Sequence, residues 1–292
     1  IVGVTTRTVN GGPEISGFVA DMGRLPLCVA ELLTPGSASG ASFQSPCNGS
    51  EITAWDIDTN TGIWFGWHGP YIQVLPERND ELHFRDGYGN TGTDASDVGG
   101  TNLDASSTAD DEHDSGWSWL LSDSSDASNA IIQIQSYGFD GTEKYPQGVT
   151  VNAVRHLINQ RDHLINMDNW SGQILFSNSA STALPTSNAT LKLRLHYPDG
   201  SGSINSIDSD NFSIDVSNAV PANDSRYSEQ ITFSGTEFVP WGVRSVEVLC
   251  DSDNSVFNGT CPSGVASPDT FRTLTLLPYS QVSTFNFIWD IP

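Results

Sequence analysis

The chain has 292 residues and a formal net charge of −23, with 35 Asp and Glu against 12 Lys and Arg. A surface of this sign repels phosphate backbones and anionic lipid, which argues against nucleic-acid binding and electrostatic membrane docking. Hydrophobic residues make up 37%, enough for a core, but no apolar run approaches the roughly 18–20 residues of a membrane helix.

The first predicted element is an amphipathic helix that begins at Pro13 and ends at Gly23, which is a common residue at helix C-termini. Its apolar face follows the i, i+3, i+4, i+7 spacing of a helix. The residues on that face are Ile15, Phe18, Val19 and Met22. A second, short helix is predicted over residues 27–33, and residues 36–50 are predicted to form a loop.

The four cysteines form two sequence-local pairs without the tight spacing of zinc or redox motifs. We therefore predict two disulfides, Cys28–Cys47 and Cys250–Cys261, in an oxidising compartment. The alternative is four buried free thiols in a cytosolic protein. With the Lys-poor, polar composition, the first interpretation predicts an extracellular or periplasmic protein.

An aromatic section follows, with a predicted strand and a tight turn over residues 63–71 and a short strand at 82–84. Residues 91–116 are rich in acidic groups and nearly free of large apolar side chains, which predicts a long acidic surface loop. A further strand is predicted over residues 130–137.

Beyond residue 150 the hydrophobic period changes to that of strands. Residues 191–197 alternate strictly between apolar and polar, which predicts one buried and one solvated face. Other strands are predicted at 172–176, 212–216, 230–233, 243–250, 271–277 and 284–289. These patterns predict two domains, residues 1–150 and an all-β, sandwich-like domain over residues 151–292.

Three segments of the first domain resemble the globular part of type IV pilin-like proteins, in particular the major pseudopilins of type II secretion. The first contains Gly23, Arg24, Leu25 and Pro26, followed by Glu31-Leu-Leu. The second contains Trp67, Gly69, Pro70 and Tyr71, followed by Asp86, Gly87 and Gly89. The third is a strand that ends at Asp140 and Gly141.

This resemblance covers roughly residues 13–145 and implies an α+β pilin-like fold, in which an N-terminal helix packs on a small antiparallel sheet. It also implies a structural subunit of a type IV pilus, a pseudopilus or a related filament, assembled with copies of itself or with other pilin-like subunits. The hydrophobic N-terminal half-helix of the family is missing here, and it would be the only contact with the membrane. The β domain would then serve surface display, adhesion or subunit contact.

The acidic residues offer a candidate calcium site, because Ca²⁺ takes oxygen ligands from clustered carboxylates. Major pseudopilins hold calcium near the closing strand, and Asp140 lies at the matching turn. The candidate ligands are Asp110, Asp111, Asp114 and Asp140. A solvated acidic loop without metal is the alternative.

Two other function classes remain open. The first is a secreted carbohydrate-binding module that uses Trp170, Trp241 or the Trp55–Trp67 group as sugar platforms. Packing of Trp64, Trp67, Tyr71 and Tyr88 on the helix is favoured over an exposed platform. The second is an acidic hydrolase that uses two carboxylates. Because no catalytic motif is present in the sequence, we predict a protein that is not an enzyme.

Overall fold

A computed structural model describes residues 5–7, 13–15, 17–72, 117–121, 132–136, 158, 160–235, 237–264, 271–277 and 284–291. Strands dominate these residues. The helical elements are short, and they are the α-helices Phe18–Met22 (α1) and Gln160–His163 (α2) and the 3₁₀-helices Val29–Leu32 and Met167–Asn169. Within these ranges, no helix has the length and apolar character to cross a membrane.

The predicted α+β pilin-like fold is wrong. The segment predicted as one helix from Pro13 to Gly23 begins as a β-strand, Pro13–Ile15, which pairs with Thr5–Arg7. Gly17 follows with φ = 152°, and only Phe18–Met22 is helical. A five-residue helix is too short to support a pilin-like sheet, and the described chain is mostly β.

The chain divides into two compact units, and each is discontinuous in sequence. The first comprises residues 1–56, 65–163 and 199–203, and the second comprises residues 57–64, 164–198 and 204–292. The strands described before residue 160 are Thr5–Arg7 (β1), Pro13–Ile15 (β2), Ser37–Ser39 (β3), Ser42–Gln44 (β4), Glu51–Thr53 (β5), Asp56–Asp58 (β6), Ile63–Phe65 (β7), Trp117–Leu121 (β8) and Ile132–Ser136 (β9). They form the antiparallel pairs β1–β2 and β8–β9, the sheet β3-β4-β5 and the two-stranded sheet β6-β7.

The described residues of the second unit lie mainly in strands, which agrees with the predicted β-sandwich-like character. Its strands are Leu164–Asn166 (β10), Ser171–Asn178 (β11), Ala189–Pro198 (β12), Ile204–Asp208 (β13), Phe212–Ile214 (β14), Asp224–Tyr227 (β15), Ile231–Thr232 (β16), Phe238–Pro240 (β17), Gly242–Cys250 (β18), Arg272–Leu276 (β19) and Thr284–Ile291 (β20). One sheet has the order β15-β11-β16, with β20 parallel to β11, and the other has the order β13-β12-β18-β19, with β14 on β12. A short ribbon pairs β10 with β17.

The core of this unit lies between the inner faces of the two sheets, which agrees with a β-sandwich. Every second residue of β11 is buried from Gly172 to Asn178, and β12 shows the same alternation. Phe176 of β11 lies 6.5 Å from Phe212 of β14 and 5.9 Å from Phe257, measured between ring centroids. The alternation in sequence therefore corresponds to one apolar face on each sheet.

Candidate functional site

The carboxylate of Glu31 is the centre of a buried polar cluster in the first unit. Its Oε2 accepts hydrogen bonds from Arg24 Nη1 and the backbone N–H of Leu27, both at 2.8 Å. Its Oε1 accepts from Arg24 Nη2 at 3.1 Å and from Ser45 Oγ at 2.7 Å. The Glu31 side chain is fully buried, and the bidentate geometry with Arg24 is the strongest form of this ion pair. We call this group of side chains the Glu31 cluster.

The end of helix α1 positions Arg24 in this cluster. The helix ends at Gly23, whose N–H donates to the carbonyl of Val19 at 2.9 Å. The guanidinium of Arg24 then lies over the ring of Phe18, 5.2 Å from its centroid, and Nη1 also donates to the carbonyl of Leu25. Leu25 is completely buried, so the segment after the helix belongs to the core.

The turn over residues 66–71 packs on the same segment through backbone hydrogen bonds. Gly66 N–H donates to the carbonyl of Asp21 at 3.0 Å, and Tyr71 N–H donates to the carbonyl of Leu32 at 2.7 Å. The indole Nε1 of Trp67 donates to the carbonyl of Glu31 at 2.7 Å. These bonds satisfy carbonyl groups that short helices leave without partners.

Tyr71 joins this turn to helix α1 through both its ring and its hydroxyl. The ring packs edge-on against Phe18, with 5.4 Å between centroids. The hydroxyl accepts from the backbone N–H of His68 at 2.9 Å and donates to the buried carboxylate of Asp21. Burial, and then the negative charge of Asp21, raise the pKa of Tyr71 far above its ordinary value. The phenol is therefore a structural hydrogen-bond donor and not an acid poised for catalysis.

Both predicted disulfides are confirmed. Cys28–Cys47 lies beside the Glu31 cluster, and the Oγ of Ser45 accepts from the N–H of Cys47 at 3.2 Å. Cys250–Cys261 joins the end of β18 to the loop that follows it. The alternative of four free thiols is excluded, and the two bonds indicate an oxidising compartment outside the cytoplasm.

Within residues 18–72, the structure brings together the residues that carry the pilin-like resemblance. Gly23, Arg24, Leu25 and Pro26 lie in the buried segment that carries the Glu31 cluster, and Trp67, Gly69, Pro70 and Tyr71 lie in the turn that packs on it. The other predicted site residues lie outside the described residues. They are Asp86, Gly87, Gly89, Asp110, Asp111, Asp114, Asp140 and Gly141.

Sequence reasoning missed the roles of Glu31 and Ser45 in the Glu31 cluster and of Asp21 as the acceptor for the Tyr71 hydroxyl. The sequence signal for this ion pair was the position of Arg24 and Glu31, seven residues apart in an apolar segment of a chain with few cations. Such a pair is expected to be buried together, because an isolated buried charge is costly.

The predicted aromatic platforms are partly contradicted. Trp170 and Trp241 are 3% and 0% exposed, so neither ring can stack on a sugar. Trp64 was predicted to pack on the helix, but it is 52% exposed. Trp55 stacks on the imidazole of His68, with 4.2 Å between ring centroids.

Calcium binding remains a prediction. In the ranges given above, no three His, Cys, Asp or Glu side chains come together as a metal site. The four candidate ligands lie elsewhere in the chain, so this finding does not test them.

No family model, no curated protein and no solved structure matches this chain.

Proposed function

We propose that the chain is a non-catalytic structural subunit of an extracellular or periplasm-spanning filament, a type IV pilus, a pseudopilus or a related assembly. The pilin-like fold is not part of this proposal. The support comes from the sequence resemblance in residues 18–71 and from the structural role of those residues.

The observation that carries the proposal is that two of the three resembling segments pack on each other around the Glu31 cluster, and that their polar groups form structural hydrogen bonds. Arg24 donates two hydrogen bonds to the carboxylate of Glu31, and the raised pKa of Tyr71 keeps its phenol protonated. Buried polar groups whose hydrogen bonds are satisfied within the protein make the surrounding structure rigid. A filament subunit needs such rigidity, because each subunit must present the same surface to its neighbours.

The outer face of the sheet β15-β11-β20 offers a candidate contact surface for another subunit. The strand register aligns Tyr227 with Leu175 and Leu175 with Ile288. Tyr227 is 55% exposed and Ile288 is 54% exposed, so an apolar row crosses three strands. We call Tyr227, Leu175 and Ile288 the outer-face row.

The charges near the outer-face row favour a second copy of this chain as its partner. Two residues away along the strands, Gln173 and Asn286 lie on one side of the row, and Ser177 and Ser225 lie on the other. Asp290 also lies there, and Arg272 pairs with its carboxylate at 3.5 Å. The carboxylate among these flanking strand residues is therefore paired, although the net charge of −23 opposes contact elsewhere.

The experiment is to produce the complete precursor in its own cells, shear the surface filaments and label them with an antibody against this chain. The proposal predicts labelling along the filaments. It also predicts that the double substitution Tyr227→Ser and Ile288→Ser reduces incorporation, whereas Val216→Ser, an exposed aliphatic control outside the row, does not. Unlabelled filaments, or a precursor released as a monomer, would contradict the proposal.

A further inference from the structure

A cleft of about 260 Å³ in the second unit is lined by residues of β14 and β15, including Tyr227, and by residues that follow these strands. Phe176, Ile214 and Val220 form its floor, and their side chains are almost completely buried. The cleft is smaller than the roughly 300–1,000 Å³ of pockets for drug-sized ligands. Its size therefore suits a ligand of about one ring.

Arg226 lines this cleft from an unusual position. The register pairs it with Phe176, whose side chain is buried on the inner face of the sheet, so Arg226 is an inner-face residue at the open edge of the sandwich. Inner-face positions are normally apolar. A charge at such a position either protects the sheet edge from aggregation or binds a ligand.

Arg226 differs from the other cations with described side chains because its guanidinium makes no ion pair, although its charge, after the hydrogen bonds of Ser217 and Asn218, helps to lower the pKa of the Asp215 carboxyl. Neither an ion pair nor a side-chain hydrogen bond to its guanidinium is found in the described part of the chain. The other cations with described side chains all have partners: Arg24 has Glu31, Lys192 and Arg194 have Asp208, Arg244 has the carbonyls of Pro240 and Trp241, and Arg272 has Asp290. An exposed arginine whose guanidinium is not in hydrogen-bonding contact with a carboxylate can accept one from a ligand.

The remaining polar groups of the cleft are suited to hydroxyl groups. The Oδ1 of Asn218 accepts from the N–H of Asp215 at 2.8 Å, which leaves its Nδ2 as a donor with no acceptor among the described residues. The hydroxyl of Ser213 also lines the cleft, and Glu229 contributes one carboxylate as an acceptor. That carboxylate and the net charge disfavour a doubly charged anion such as phosphate.

From these groups we infer that the cleft binds an acidic sugar, a uronate, whose carboxylate pairs with Arg226 and whose ring hydroxyls bond to Asn218, Ser213 and Glu229. The planar fork of the guanidinium matches the two oxygens of a carboxylate. This inference does not rest on the filament proposal. Tyr227 of the outer-face row also lines the cleft, so the variants that test uronate binding are made at Arg226 and leave Tyr227 unchanged.

The test is isothermal titration of the folded chain with galacturonate, trigalacturonate and neutral galactose. We expect both uronates to bind and galactose to bind at least about tenfold more weakly, because it lacks the charged group. Arg226→Gln is expected to lose about tenfold or more in uronate affinity, and Arg226→Lys to lie between the two, because lysine keeps the charge without the fork. Arg272→Gln removes the same charge outside the cleft and should bind like the wild type.

Three results would overturn the inference. One is the absence of uronate binding at millimolar concentrations, another is equal affinity for galactose, and the third is unchanged affinity in Arg226→Gln. Edge protection would then explain Arg226, and Arg226→Gln should aggregate faster than Arg272→Gln. Filament labelling tests the other proposal separately, so the two failures are distinguishable.

Discussion

Replacing Glu31 by glutamine should destabilise the first unit more than any substitution of an exposed residue. The substitution keeps the shape of the side chain but leaves the guanidinium of Arg24 buried without a counter-charge. Glu31 accepts four hydrogen bonds, two of them from Arg24, and the two side chains are 0% and 8% exposed. Breaking a buried pair of this kind costs about 3–5 kcal/mol.

Hydrogen exchange followed by mass spectrometry is the suitable assay, because a chain with two compact units need not unfold in one step. The N–H of Tyr71 bonds to the carbonyl of Leu32 and reports on the packing of the turn. Its protection factor should fall about a hundredfold or more in Glu31→Gln. The control Glu51→Gln changes the same charge at an exposed position and should leave the protection unchanged.

A second pair of variants separates the charge effect from the packing effect. The double substitution Arg24→Met with Glu31→Leu removes both charges and keeps apolar volume, so it should lie within about 1–2 kcal/mol of the wild type. Glu31→Gln with a loss below about 1 kcal/mol would refute the reasoning, because Arg24 would then be solvated or paired in another way.

The remaining predictions concern the turn, the phenol and the second disulfide. Gly66→Ala should weaken the first unit by several kcal/mol in a denaturant titration, because φ is 103° and a Cβ would lie 2.3 Å from the carbonyl oxygen of Ala54. Because the pKa of Tyr71 is raised in the folded protein, its contribution to stability is fully present below the ordinary phenol pKa of 10.0 and declines as the pH rises above that value. Tyr71→Phe should therefore reduce the fall of Tm with pH above pH 10. An unchanged dependence of Tm on pH would contradict this prediction. Replacing Cys250 and Cys261 together by serine should lower the free energy of unfolding by about 3 kcal/mol in chemical denaturation, because the bond closes a short loop and restricts the unfolded chain. An effect near zero would argue against this entropic stabilisation.

The second unit was predictable because its strands carry their pattern in the sequence. Residues 191–197 alternate strictly, and the structure places them inside strand β12 with the same alternation of burial. The other predicted strands after residue 170 also correspond to observed strands, although several ends shift by a few residues. Pairing order, including the parallel contact between β11 and β20, was not predictable, because alternation identifies a face and not a neighbour.

The helix prediction failed because four apolar residues at helical spacing also fit a strand followed by a turn. Ile15 belongs to β2, whereas Phe18, Val19 and Met22 belong to α1, and Gly17 lies between them with a positive φ. A glycine in a helix interior costs about 1 kcal/mol, which made the continuous helix less stable than the spacing implied.

The polar part of the candidate site was predictable only in outline. Arg24, Trp67 and Tyr71 were selected through the resemblance, but Glu31 acquires its role from three donors that are distant in sequence or on the backbone. A linear pattern does not show such convergence. Arg226 was missed for a similar reason, because its inner-face position follows from the register with β11.

The parallel pairing of the last described strand has a consequence for biosynthesis. Ser171 pairs with Thr284, so β11 acquires one of its neighbours only after residues 284–291 have been made. The pairing of β11 with β20 is therefore absent until more than 100 residues after β11 have left the ribosome. A nascent chain stalled before residue 284 should remain sensitive to protease in this region and become resistant once residues 284–291 have left the ribosome.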